Sequence, residues 1–182
     1  MALRLLLTVL LFLVAAACGS ADLPTQPTPP QTMPFPVPPG VPSIEGEYVL
    51  TLTASPGCTL PVETMRRTYT ATIQENRLGQ VIVKLSGAVF RFGLASFTPG
   101  FWGTRDGDVL HFTLDISHQG MGLAEEIDSL TNLYYMGRAS ATIGDRNITG
   151  TFSGQIYVYG EDLLDWLGDC TATDHKMEFV RR

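Results

Sequence analysis

From residue 43 onward, apolar and polar side chains alternate with a period of two, as they do in strands with one buried face. In Tyr48-Val49-Leu50-Thr51-Leu52-Thr53 the bulkiest residues take the even positions. In Thr68-Tyr69-Thr70-Ala71-Thr72-Ile73 three Thr face one way, and Tyr69, Ala71 and Ile73 the other. Val81, Val83 and Leu85 alternate with Ile82, Lys84 and Ser86, and Leu110, Phe112 and Leu114 with Val109, His111 and Thr113. Ala139, Ala141 and Ile143 interleave with Arg138, Ser140 and Thr142. Ile148, Phe152, Ile156 and Val158 share a face with Gly150 and Gly154 between them, and His175, Met177 and Phe179 oppose Lys176 and Glu178. Tight-turn sequences separate the runs: Asn76-Arg77-Leu78-Gly79, Asp106-Gly107-Asp108 and Gly144-Asp145-Arg146-Asn147. Gly87, Gly93, Gly103 and Gly137 fall in or beside strands, where glycine marks a bulge or bend.

The pattern predicts roughly eight or nine strands, and the near absence of helical periodicity argues against a parallel βαβ sheet. Closing a sheet with one apolar face removes its edges. The predicted fold is therefore all-β, an antiparallel up-and-down β-barrel of about eight strands, with a β-sandwich as the alternative. A membrane-spanning barrel fits less well, since its strands run to about 9–11 residues. Two segments break the alternation. In 117–131, Leu123, Ile127 and Leu130 have helical spacing, which predicts a short helix plugging or lidding the barrel, either with Met121 and Leu123 lining an apolar mouth or with the helix packed on the barrel wall. In 160–168, Leu163, Trp166 and Leu167 share one face of a short amphipathic helix. It is read as a cap over one barrel end with Trp166 as its plug, or else as a contact for a partner or ligand.

The N-terminus follows a different pattern. Arg4 precedes an apolar run that extends to Ala17, about 13 residues and short of the roughly 20 needed to cross a bilayer. A basic residue, an apolar stretch and the small residues Ala15-Ala16-Ala17 make a secretory signal. Val14-Ala15-Ala16-Ala17-Cys18 resembles the lipobox of bacterial lipoproteins, with Ala15 where Leu is commonest. The resemblance implies cleavage after residue 17, acylation (palmitate) at Cys18, and a lipid-anchored protein of the bacterial cell envelope. Gly19 and Ser20, with no Asp after the cysteine, imply the outer membrane, facing periplasm or surface. The domains read as 1–17 signal peptide, 18–42 lipidated N-terminus and linker, and 43–182 barrel.

Residues 18–42 hold nine of the twelve prolines, no Lys or Arg, and one acid, Asp22. Such a stretch has no core of its own and is semi-rigid, reaching up to about 70 Å. It reads as a stalk. The remaining residues, about 140, suffice for one domain with one core. Twelve basic residues stand against eighteen acidic, eleven once Arg4 leaves with the signal, which argues against nucleic acid as a partner. With Cys18 acylated, Cys58 and Cys170 remain as an even pair in an oxidising compartment and are predicted to form a disulfide.

The Gly46-Glu47-Tyr48 opening, the meander, the cysteine staple and the late Arg181 resemble the lipocalin and calycin barrels, where Trp usually occupies the place of Tyr48. That likeness implies a cup with a ligand cavity, although small barrels are also filled by their own side chains.

Little points to catalysis. His111, His118 and His175 show neither His-x-x-x-His nor Glu-x-x-His spacing, and no Gly-x-Ser-x-Gly elbow or phosphate-binding glycine loop occurs. Glu125-Glu126 and Glu161-Asp162 are adjacent in sequence, which does not place carboxylates across a substrate. No enzyme activity, cofactor or metal is expected. The leading expectation is a lipoprotein whose lipocalin-like barrel binds a small apolar molecule or lipid. The alternative is a protein-interaction module, such as an envelope scaffold or an inhibitor of a secreted hydrolase. Met121, Leu123, Leu163, Trp166 and Leu167 are the expected contacts, and an open or filled interior separates the two readings.

Overall fold

The computed structural model describes residues 42–91, 98–115, 121–161 and 165–182. The signal, Cys18, the linker up to residue 41, Gly93, His118 and Leu163 lie outside them. The strands are β1 (Gly46–Thr53), β2 (Arg66–Glu75), β3 (Gln80–Ser86), β4 (Val89–Phe90), β5 (Thr98–Asp106) and β6 (Val109–Thr113). They continue as β7 (Met121–Gly122), β8 (Ala124–Asp128), β9 (Thr131–Ile143), β10 (Asn147–Tyr159) and β11 (Trp166–Arg181). A single helical turn, α1 (Val62–Met65), precedes β2. β1, β2, β3, β5, β6, β9, β10 and β11 pair antiparallel in chain order, and β11 returns to β1, from Tyr48 opposite Arg181 to Thr53 opposite Lys176. The ring is thus a closed eight-stranded antiparallel barrel, as the alternation predicts. Three short strands lie outside it. β8 pairs with residues 131–134 of β9, beside the stretch that pairs with β6. β4 pairs with β8, and β7 runs parallel to the start of β5.

The two ends of the barrel differ. At the turn end the three tight hairpins join β2 to β3, β5 to β6 and β9 to β10. Asn76 Oδ1 accepts from the amides of Leu78 and Gln80 at 2.9 and 3.0 Å, and Gly79 supplies the left-handed residue, with φ 71°. The residues before β1 fold against this end. Ile44 is buried, and its carbonyl accepts from the Tyr48 hydroxyl at 2.8 Å. The Arg105 and Arg181 guanidiniums donate to the carbonyls of Pro42 and Glu45, at 3.0 and 2.6 Å. Arg105 also pairs with Glu75 at 3.0 Å, both side chains nearly buried. The Arg181 guanidinium lies over the Tyr48 ring, 5.7 Å from its centre, so the two residues named in the lipocalin likeness meet in space. At the opposite, loop end lie the connection 54–65 and the described stretches 87–91, 114–115, 121–130, 160–161 and 165.

The barrel is filled. Leu50, Leu52, Ala71, Val81, Val83, Leu110, Phe152, Ile156, Val158 and Phe179 have no accessible surface. A side chain lining a ligand-sized void would keep some, because a water-sized sphere would touch it from inside. Phe179 sits at the centre of an aromatic cluster, with ring centres 6.1 Å from Tyr48, 6.4 Å from Phe101 and 5.9 Å from Phe112. Edge-on and tilted contacts of this kind add to the apolar burial. The glycines in the inward row of β10 have a steric cause. A Cβ at Gly150 or Gly154 would stand 2.0 or 2.1 Å from the carbonyl oxygen of Ser140 or Met136 on β9.

Two expectations are corrected. Residues 123–130 form no helix: β8 lies there, with Glu125 opposite Leu133. Leu123, Glu125 and Ile127 form an alternating inward row, and an acid in its middle leaves only the wider, helix-like apolar spacing visible. Leu123 has no exposed surface and belongs to the core rather than to a mouth. Trp166 is no plug. It opens β11 nine residues ahead of the His175–Met177–Phe179 run and is 61 % exposed.

Candidate functional site

The loop end carries the chemistry that the ring does not use. Glu125 of β8 is 1 % exposed and receives a two-pronged contact from Arg67, at the start of β2. Arg67 Nε donates to Oε2 at 2.9 Å, and the terminal nitrogen Nη2 donates to Oε1. The Tyr69 hydroxyl donates to Oε2 at 2.8 Å, and the buried Tyr135 hydroxyl hydrogen-bonds with that of Tyr69. Burial raises the pKa of both phenols, with the Glu125 charge acting in the same direction. The Arg67 guanidinium, hydrogen-bonded to Glu125, is held still more firmly protonated than usual. A buried carboxylate matched by an arginine and a hydroxyl is a satisfied structural charge. It pins β8 over the loop end, with Phe90 of β4 packed on Tyr69 at 5.7 Å. The neighbouring Glu126 points the other way and pairs with Arg91 at 2.7 Å. The two adjacent acids therefore do not share a site, and His118 lies outside the described residues.

Of the three histidines, His111 is exposed on β6. His175 is buried and stacked on Phe152 at 4.3 Å. Its Nδ1 accepts from the Ser55 amide at 3.0 Å, which leaves Nε2 as the donor facing the Gly154 carbonyl. Burial lowers its pKa, opposed in part by that carbonyl and by Asp174, so it is a neutral core histidine. Cys58 and Cys170 form the predicted disulfide, 112 residues apart in sequence with Cα atoms 5.6 Å apart. It ties the β1–α1 connection to β11. Among the described residues no group of three or more His, Cys, Asp or Glu could hold a metal ion.

The outer face of β9, β10 and β11 at this end is aromatic. Cross-strand neighbours place Tyr134 beside Tyr157, and Tyr159 beside Trp166. Tyr157 and Tyr159 stack with ring centres 6.0 Å apart, and Tyr134 meets Tyr159 edge-on at 5.5 Å. Leu167 occupies the extra position where the β10–β11 register shifts and is exposed, as is Leu130 in the β8–β9 turn. Of the large apolar side chains exposed among the described residues, Val62, Val89, Leu130, Trp166 and Leu167 lie at the loop end, and Leu78 and Val180 toward the turn end. Trp166 and Leu167 are thus brought together on one surface, half-buried Met121 packs toward Gly100 on β5, and Leu123 is withdrawn into the core. The sequence reading missed Arg67, Tyr69 and Tyr135 as a unit. Glu125 in the Leu123-Glu125-Ile127 row was the signal that would have found them. A separate cleft of about 340 Å³ opens at the turn end between Ile44, Asp108 and the 143–148 hairpin.

Fold and site together define a filled, disulfide-stapled barrel with an aromatic patch on its loop end. No family model, curated protein or solved structure matches the chain.

Proposed function

We propose that this is a lipid-anchored protein of the bacterial envelope, held at Cys18 on a proline-rich stalk, whose barrel is a rigid platform for a protein partner. The observation that carries the reading is the filled interior combined with the aromatic patch on the loop end, where exposed Trp166 stands beside the half-buried Tyr157 and Tyr159. A barrel that held a small apolar molecule would need space, and the side chains that would line it have no accessible surface. An exposed Trp beside partly accessible Tyr rings is the kind of anchor that protein interfaces use. Residues 42–45 enter β1 at the turn end, so the patch lies at the opposite end of the barrel from that entry. Loops at the free end of a rigid scaffold are where binding residues concentrate.

The test is photocrosslinking in intact cells, with a photoreactive amino acid at position 166 and, as control, at position 78. Leu78 is also exposed but lies at the turn end. The reading expects an adduct of defined mass at 166 and none at 78. Equal labelling at both positions refutes it. A small apolar molecule retained by the purified chain in native mass spectrometry would restore the ligand-in-barrel reading.

A further inference from the structure

The loop end is electrostatically one-sided. Glu161, Asp165 and Asp169 are exposed along the β10–β11 connection and the start of β11, beside Trp166. None of them has an ion-pair partner among the described residues, whose ion pairs are Arg67–Glu125, Arg91–Glu126 and Arg105–Glu75. Asp128 adds a fourth exposed acid before Leu130, its carboxylate accepting from the Leu130 amide at 2.8 Å. The arginines that could offset them are spent. Arg67 and Arg91 are neutralised by Glu125 and Glu126, and Arg66 stands on β2, three strands round the ring from β10. The other end is mixed: Arg77, Arg105, Arg146, Arg181 and Arg182 lie there among Glu45, Glu47, Glu75, Asp106, Asp108 and Asp145.

We infer that the partner at this surface is a basic protein, one that presents arginine or lysine among apolar side chains. This rests on the partner reading above and adds its chemistry. The apolar body of Trp166 and the stacked Tyr157 and Tyr159 rings offer faces on which a guanidinium or ammonium binds. The exposed carboxylates at the edge, of which Asp169 also accepts from Gln155 Nε2 at 2.6 Å, supply the complementary charge, steer encounter and repel acidic surfaces. An acidic partner would set like charge against Asp165 and Asp169 across the contact.

The experiment uses the intact chain held in phosphatidylcholine nanodiscs. Two short synthetic peptides serve as probes, one alternating arginine with leucine and one alternating glutamate with leucine, followed by fluorescence anisotropy. The arginine peptide is expected to bind and the glutamate peptide not. Raising salt from about 0.05 M to about 0.3 M weakens that binding. Glu161→Gln, Asp165→Asn and Asp169→Asn together weaken it about tenfold, the sum of three modest surface pairs. Asp106→Asn, Asp108→Asn and Glu178→Gln together leave it unchanged, and Trp166→Ala abolishes it. If the three loop-end amides bind as tightly as the parent while Trp166→Ala fails, the basic partner is refuted and the aromatic contact stands. If Trp166→Ala binds like the parent, both fall. Equal binding of the two peptides also refutes the inference.

Discussion

His175 shows how a single side chain ties the core to pH. It accepts one backbone hydrogen bond and faces a second carbonyl inside the barrel, and burial lowers its pKa from the ordinary 6.5. As pH falls through about 6.5 the unfolded chain takes up a proton at this residue and the folded chain does not. Stability is therefore complete above that value and declines below it until the folded residue titrates too. Chemical denaturation at pH 7.5 and 5.5 is expected to show the loss, and His175→Gln is expected to lose less between the two while starting lower. A parent curve independent of pH over that interval would contradict the assignment. The sequence placed His175 on the same face as Met177 and Phe179, which is where it lies. It gave no sign of the Ser55 amide, because that contact spans 120 positions and depends on how the β1–α1 connection folds back.

At the scale of elements, period-two alternation located seven of the eight ring strands, and turn residues located the three tight hairpins; β5 was missed because Pro99, Gly100 and Gly103 interrupt its apolar row. Alternation fails where function or covering intrudes. β8 was hidden by Glu125, an acid in an inward row that is stable there because Arg67 and Tyr69 meet it. The first half of β11 was hidden because its outward residues include Trp166 and Leu167, which read as one face of a helix when strand pairing is unknown. The Arg67–Glu125 pair makes a direct prediction. Arg67→Met strands a buried carboxylate and is expected to cost about 3 kcal/mol in urea denaturation. Adding Glu125→Leu removes the stranded charge and recovers most of the loss. If the single substitution is neutral, the pair does not hold β8 in place.

At the scale of the molecule, the barrel has a sealed end and an adorned end. The sealed end carries tight turns, the Ile44 closure and most of the arginines. The adorned end carries the long connections, the disulfide and the aromatic patch. The disulfide encloses most of the domain, and the chain-entropy argument gives about 4–5 kcal/mol for a loop of that size, an upper figure. Replacing Cys58 and Cys170 by Ala is expected to cost about 3 kcal/mol in the same assay, and the barrel fold, set by the ladders, is expected to persist. A closed sheet was legible from sequence because every run had one apolar face. Whether it was hollow was not, since both kinds of barrel place apolar residues inward and differ in how closely the strands coil. The filled interior follows from large rings such as Phe101, Phe112, Phe152 and Phe179 meeting inside a ring of eight strands.

Because β1 pairs with β11, no barrel exists until the final strand, 16 residues long, has been delivered. A chain emerging N-terminus first through a ribosome or a secretion pore carries β1 with one bare edge for the whole of that passage, and a second bare edge on whichever strand has emerged last. Pairing that joins the two extremes of a domain is slow, of the order of milliseconds to seconds. Bare edges invite pairing with other chains during that interval. The molecule closes in one late step, and the span between the first strand and the last is when it is most in need of a chaperone.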